Sequence, residues 1–324
     1  MDALSDALRV LRLNGAVFLD AEFTEPWCVI SDPRSNNSLM AGAPDIVFFH
    51  VLTEGRCKAK LTEKEGQTVE LAPGDLIMLP RGSRHLMGSN LELAPVLADT
   101  IVRPGEGGML RIDHGGGGEK TRFVCGYLRC DERLCGPMLE SLPAILRVPL
   151  GDGPATAWLT GLLQAGTRES AAPRPGSETV LAKLSELLFV EAMRRYIELL
   201  PVEQRGWFAG LGDRFVGRAL ALMHEQPNRD WSVDELAANV GLSRSALAQR
   251  FTDYIGQPPM QYLTRWRLTI AAQRLRSEQT TLARVAEDCG YDSEAAFNRA
   301  FKRALGTTPA AWRKGARSRL SFQG

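Results

Sequence analysis

One pattern occurs twice in this chain and limits what the rest can be. Residues 236–256 read L-A-A-N-V-G-L-S-R-S-A-L-A-Q-R-F-T-D-Y-I-G, and residues 285–306 read V-A-E-D-C-G-Y-D-S-E-A-A-F-N-R-A-F-K-R-A-L-G. Ala237, Gly241, Phe251, Gly256 and Pro259 return as Ala286, Gly290, Phe301, Gly306 and Pro309, offset by 49 residues up to the turn glycine and 50 beyond it. Each copy has the layout helix, glycine turn, helix. That is the helix-turn-helix, whose second helix enters the major groove of DNA.

The local chemistry of each copy supports this layout. Ser232 and Glu235 form an S-x-x-E capping box that starts a helix. Val233, Leu236, Ala237 and Val240 give that helix one apolar face, and Gly241 supplies the residue that tolerates positive φ at its end. Ser243 is the N-cap expected for the next helix, which buries Leu247 and Phe251 and turns Arg244, Ser245, Ala248 and Gln249 outward. In the second copy the helix near Leu282–Asp288 buries Val285 and Ala286, and Gly290 makes the turn. Asp292 or Ser293 caps the following helix, Ala296, Phe297 and Phe301 face inward, and Glu294, Ala295, Asn298 and Arg299 face outward. Arginine can bond two acceptors on guanine, Gln and Asn match adenine, and small residues reach a thymine methyl. Arg250, Arg265, Arg267, Lys302 and Arg303 are the candidate phosphate contacts. Between the copies, residues 260–275 have helical apolar spacing and no Gly or Pro, which predicts a stiff helix fixing one motif relative to the other.

Charge points the same way. The net charge of +1 conceals +6 in residues 212–324 and −5 in residues 1–211, and no acidic residue follows Glu294. A basic C-terminal part suits an anionic partner. No apolar run is long enough to span a membrane, and the N-terminus lacks the layout of a signal peptide, so a cytoplasmic protein without a membrane partner is expected.

The double motif resembles the AraC/XylS family of transcriptional regulators over residues 212–315. The resemblance rests on both copies, the W-R-L after the first, G-Y-D-S-E-A-A-F-N-R-A-F-K-R, and the closing G-T-T-P-A-A-W-R. It implies double-stranded promoter DNA and RNA polymerase as partners and no enzymatic turnover. It places base contacts on Ser245, Ala248 and Gln249 in the first motif and on Ala295 and Arg299 in the second.

The N-terminal half reads differently. Ile46–Leu52, Cys57–Leu61, Thr68–Leu71 and Leu76–Leu79 are short strand candidates separated by turn signals, as in a barrel or jelly roll. Gly74-x5-Pro80-x-Gly82-x2-His85 resembles the second cupin signature, with the asparagine expected after the histidine displaced to Asn90 and Ser89 in its place. The first signature is nearly absent: Phe48, His50 and Glu54 occupy its region without an H-x-H. His50 and His85 are therefore weak metal candidates, and no cofactor is expected. E-P-W-C, F-H-V-L-T-E-G-R-C, L-A-P-G-D-L-I-M-L-P-R-G and V-C-G-Y are similar to one branch of the family, in which the barrel senses a small molecule or a chemical stress. The alternative is a cupin metalloenzyme, of dioxygenase or isomerase type, fused to a DNA-binding module. A further reading is an architectural DNA binder whose barrel takes no ligand.

Six cysteines in a chain of 324 residues do not make a disulfide scaffold. Cys125, Cys130 and Cys135 are spaced C-x4-C-x4-C, with Arg122, Arg129 and Arg133 near enough in sequence to favour thiolate, so a redox effector acting there is one expectation and inert core cysteines the other. A short helix is expected near Ala155–Gln164, a loop over 166–177, and a long helix over Glu178–Leu200 that is apolar on more than one face and suits a homodimer. The expected fold is α+β multidomain: a cupin-like barrel over 1–150, a helical connector over 151–211, and an all-α double helix-turn-helix domain over 212–324.

Overall fold

The computed structural model describes residues 2–11, 14–32, 46–63, 68–105, 110–129, 132–149, 174–201, 203–277 and 280–320, with isolated residues between 158 and 169. The chain divides into two compact units. One comprises residues 13–199; the other comprises residues 200–324 together with residues 1–12.

In the first unit the strands are β1 (Asn14–Thr24), β2 (Cys28–Ser31), β3 (Ile46–Glu54), β4 (Cys57–Leu61), β5 (Val69–Leu71), β6 (Asp75–Leu79), β7 (His85–Gly88), β8 (Val96–Leu97), β9 (Arg103–Pro104), β10 (Leu110–Gly115), β11 (Lys120–Arg129) and β12 (Leu146–Pro149). The four strands expected between 46 and 79 are present, β3 running on to Glu54 and β6 starting at Asp75. A seven-stranded sheet in the order β12-β6-β3-β11-β1-β10-β9 faces a five-stranded sheet in the order β5-β4-β7-β2-β8. Their inner faces share one core, with Phe23, Trp27, Leu52, Phe123, Met87 and Cys125 among its buried members. The ring of Trp27 stacks on Phe23 at 4.2 Å, and Phe123 stands edge-on to both at 6.1 Å. Burying each ring contributes on the order of 3 kcal/mol. Ser89 pins this plug from outside the strands: its hydroxyl accepts from the Trp27 amide at 3.0 Å, and its own amide donates to the Trp27 carbonyl at 3.1 Å. Asn90, the displaced asparagine, instead accepts from the Glu92 amide at 2.9 Å and shapes the turn.

Among the described residues three helices belong with the barrel: α2 (Ala98–Ile101), α3 (Glu132–Glu140) and α4 (Ser177–Leu199). The connector helix, expected as a separate segment, packs on β1 and belongs to the barrel unit. It buries Leu184, Leu188, Phe189, Ala192 and Met193 because that face meets the sheet. The short helix expected at 155–164 and most of the loop after it lie outside the described residues.

The second unit is helical. It contains α1 (Ala3–Leu11), α5 (Trp207–Gly212), α6 (Arg214–Glu225), α7 (Val233–Val240), α8 (Arg244–Ile255), α9 (Pro259–Ser277), α10 (Leu282–Asp288), α11 (Glu294–Leu305) and α12 (Pro309–Leu320). The expected boundaries after residues 150 and 211 are therefore not where the chain divides, because α1 packs on α6 and α9 while α4 packs on the sheet.

Gly126 of β11 shows how tightly the barrel is built. A Cβ there would lie 2.4 Å from Cζ of Phe49, whose ring is 1% exposed. Gly126→Ala is expected to destabilise the barrel unit by about 1–3 kcal/mol, read as a lower urea midpoint at unchanged slope. An unchanged midpoint would show that the Phe49 ring moves freely.

Candidate nucleic-acid interface and barrel interior

The two motifs form as their caps require. Ser232 accepts from the Glu235 amide while the Glu235 carboxylate accepts from the Ser232 amide, closing the capping box. Gly241 ends α7 at φ 79°, a left-handed conformation that costs a residue with a Cβ about 1 kcal/mol. Ser243 caps α8 through the Ala246 amide, and Ser293 rather than Asp292 caps α11 through the Ala296 amide. Leu247, Phe251, Phe297, Ala300 and Phe301 are buried, so Ala300, not Ala296, completes the inner face of α11.

The outward faces follow from this packing. Arg244, Ser245, Gln249 and Arg250 of α8 are exposed and Ala248 is half-buried; Glu294, Ala295, Arg299 and Lys302 of α11 are exposed and Asn298 is half-buried. The side chains differ in what already holds them. Arg244 pairs with Asp234 at 3.2 Å, and Gln249 donates to Asp253 at 2.7 Å. Arg250 grips Asp213 with both Nε and Nη2, and its guanidinium lies 5.5 Å from the Phe215 ring centre and 5.6 Å from that of Tyr254. Asp213 is also the N-cap of α6, accepting from the amides of Phe215 and Val216. Burial opposes ionisation of Asp213, but Arg250 and the two amides outweigh it and hold its carboxyl below the usual range. Arg267 donates to the carbonyls of Pro227 at 2.6 Å and Arg229 at 2.8 Å. Two of the five expected phosphate contacts, Arg250 and Arg267, are thus occupied in holding the fold. The side chains of Arg299 and Lys302 have no hydrogen-bond or ion-pair partner among the described residues.

The expected helix between the motifs is α9, nineteen residues and so about 28 Å long. Buried polar bonds fasten it. Trp207 donates to the Tyr262 hydroxyl at 2.9 Å, and that hydroxyl shares a hydrogen bond with Nε2 of His224 at 2.7 Å. His224 stacks on Trp266 at 4.0 Å, and burial drives its pKa down to about 3, so it stays neutral. Trp312 donates to the Ala272 carbonyl at 3.0 Å, fixing α12 to the other half of α9.

Similarity to known proteins agrees with this geometry. A cupin family model matches residues 2–198, and a helix-turn-helix domain model matches residues 236–315. A putative AraC-like transcription regulator of Streptomyces lividans is 34% identical over 97% of this chain and 98% of its own length, and one of Streptomyces antibioticus is 33% identical over 97% and 99%. The RCS-specific HTH-type transcriptional activator RclR of Escherichia coli K12 is 30% identical over 97% of this chain and 98% of its own.

The chain belongs to the AraC family of transcriptional regulators.

Within this AraC-family chain the barrel brings two of the expected sensor residues together. His50 on β3 lies beside Cys125 of β11 and Ile77 of β6 in register. His85, at the start of β7 in the other sheet, places its Nε2 3.2 Å from Nε2 of His50. His85 Nδ1 donates to the Ser83 carbonyl at 2.9 Å, which leaves its Nε2 as acceptor and makes His50 Nε2–H the donor. Burial lowers both pKa values, His50 to about 3 with the neighbouring imidazole adding to the effect, and His85 to about 4. The donor set does not fit the metal of metallocupins: among the described residues no third His, Cys, Asp or Glu joins the pair.

Cys57 and Cys125 lie in surroundings that disfavour thiolate. Cys125 is in the core, and burial raises its thiol far above the ordinary value, with Asp20 and Cys57 adding to the rise. Burial likewise lifts Cys57 to about 12. Arg122 gives Cys125 no help because successive residues of a strand face opposite ways; it pairs with Glu22 at 2.9 Å. Cys135 in α3 is fully buried, and Cys130 lies outside the described residues. Sequence reading missed the Asp213–Arg250 pair, the Arg267 anchor and the Trp207–Tyr262–His224 chain. Only the D-R-F-V run at 213–216 hinted at a cap, and nothing local named its partner.

Two measurements follow. Arg299→Ala should lose about 1–3 kcal/mol on its cognate base pair and flatten preference there, while Arg250→Ala should weaken all DNA sequences alike and lower the unfolding midpoint. Equal behaviour of the two variants in a competition binding assay would refute the distinction. For the histidines, folded pKa values below the unfolded value near 6.5 mean that their stabilising contribution is complete above pH 6.5 and declines as pH falls towards 4. Each contributes a slope of up to about 1.4 kcal/mol per pH unit. Urea unfolding between pH 7 and 5 should therefore be less pH-dependent in His50→Gln than in the wild type; identical slopes would mean the pair is not neutral and buried.

Proposed function

We propose that this chain regulates transcription by seating α8 and α11 in the major groove of double-stranded promoter DNA, with the barrel biasing that activity in response to a small molecule. The observation that carries the reading is the pair of capped recognition helices, each burying its phenylalanines and exposing its polar face, tied through one anchored helix. RNA polymerase is the proposed protein partner and the cytoplasm the proposed location; no helix among the described residues is long and apolar enough to cross a membrane. Burial of Cys57 and Cys125 favours a bound effector over direct oxidation of these thiols. A redox signal is the second reading, because one relative is named an RCS-specific activator.

Genomic footprinting with purified protein should recover discrete promoter sites. Fluorescence anisotropy on such a site should show affinity falling steeply with salt, by about 0.9 log unit per log unit of salt for each phosphate contact. Absence of protected sites, or salt-independent binding, would overturn the reading. We further propose a homodimer through α4, whose Val180, Leu187 and Leu199 are 45%, 41% and 49% exposed. Sedimentation should then give twice the monomer mass at tens of micromolar, roughly the range in which such dimers form, and Leu187→Glu should abolish it. A strict monomer at that concentration rules the dimer out.

A further inference from the structure

The first nine-residue helix has no place in the barrel that follows it. In α1, Ala3, Leu4, Ala7 and Leu11 are between 2% and 8% exposed. Residues 3, 7 and 11 recur at the helical spacing of four, with Leu4 alongside, so they form one continuous face. Asp2 starts the helix, its two carboxylate oxygens accepting from the Ser5 amide at 2.9 Å and the Ser5 hydroxyl at 2.7 Å. A helix this short does not hold itself together in water. It is ordered by what covers its apolar face, and that cover is α6 and α9, some two hundred residues downstream.

Those two helices are the ones on which reading geometry depends. The cap of α6 is Asp213, which holds Arg250 of α8. The helix α9 carries Tyr262, Trp266 and Arg267 and joins the two motifs. We infer that α1 is a positioning helix of the DNA-reading unit, so that the barrel is an insertion within that unit rather than a domain preceding it. Chain order supports this. Only residues 12 and 13 separate α1 from β1, and α4 ends at Leu199, next to the residue where the second unit resumes. The first and last elements of the barrel unit, β1 and α4, pack on each other, so both connections leave the barrel from adjacent elements.

The inference rests on the DNA-binding reading for its functional arm and stands apart from it for its structural arm. The test uses full-length protein in four forms: wild type, Ala7→Asp, Leu4→Met, and a deletion of residues 2–11. Hydrogen exchange should show α6 and α9 losing protection in Ala7→Asp and in the deletion, with the barrel strands unchanged. Affinity for DNA carrying both half-sites should fall at least about tenfold in these two, and by less on a single half-site, because the relative placement of the prongs is what degrades. Leu4→Met should retain wild-type behaviour, and a synthetic peptide of residues 1–12 should restore protection and affinity to the deletion. Unchanged exchange in α6 and α9 in both disrupted forms would overturn the inference. An equal loss on both DNAs would overturn the positioning role and leave α1 as a general stabiliser. A wild type that binds no DNA, with α6 and α9 still dependent on α1, would instead discard the functional reading and keep the docking.

Discussion

The helix α9 is the member against which everything in the DNA-reading unit is set. Its length alone does not give rigidity; its attachments do. Near its start Tyr262 takes a hydrogen bond from Trp207 and shares one with His224, so α5, α6 and α9 share a single buried oxygen. Further along, Arg267 takes two carbonyls of the segment before α7, and Ala272 receives Trp312 from α12. Each of these groups is costly to bury unsatisfied, typically about 1–3 kcal/mol. A rotation of α9 would therefore break several of them together. The arrangement has one well-defined minimum, and two recognition helices hung on it keep one relative setting.

The barrel reaches order by a different route. Its core is an aromatic plug at one level and a histidine pair at another, with cysteines as small apolar fillers between. Two neutral imidazoles facing each other share one proton without a charge, and the Ser83 carbonyl takes the other N–H of His85. This lets the family's signature histidine, His85, remain buried where a metal ligand set is incomplete. The same desolvation keeps the histidines neutral and the thiols protonated, whereas the poor fit to a metal comes from the ligand set, which has no third member among the described residues.

What was legible in the sequence was what local chemistry decides. Capping box, glycine turns, phenylalanine positions and the long helix between the motifs depend on neighbours within a few residues, and they form where the pattern puts them. The four strands between 46 and 79 were legible for the same reason. What was not legible depends on partners far along the chain. Arg250 and Arg267 read as exposed cations because Asp213 and the Pro227 carbonyl are 37 and 40 residues away. The helix α1 was not among the expected elements, and the spacing of its apolar residues carries no address for α6 or α9. Arg122 looked helpful to Cys125 in one dimension and pairs with Glu22 in three.

The two motifs also differ in what DNA must displace. On α8, Arg244, Gln249 and Arg250 all begin with internal partners. The exposed pairs at Arg244 and Gln249 are weak, roughly 0–1 kcal/mol each, and open readily for a phosphate or a base. The Arg250 pair is different, because Asp213 is 5% exposed and serves as a helix cap, so releasing it would leave a buried carboxylate half-satisfied. On α11, Arg299 and Lys302 have nothing comparable to give up among the described residues. On the proposed reading, polar contact with DNA costs least from the second motif, while the first keeps Ser245, Ala248 and, once their weak pairs open, Arg244 and Gln249. A repeat that is symmetric in its backbone is thus asymmetric in its energetics, and the asymmetry is set by one acidic residue, Asp213, which lies outside both copies.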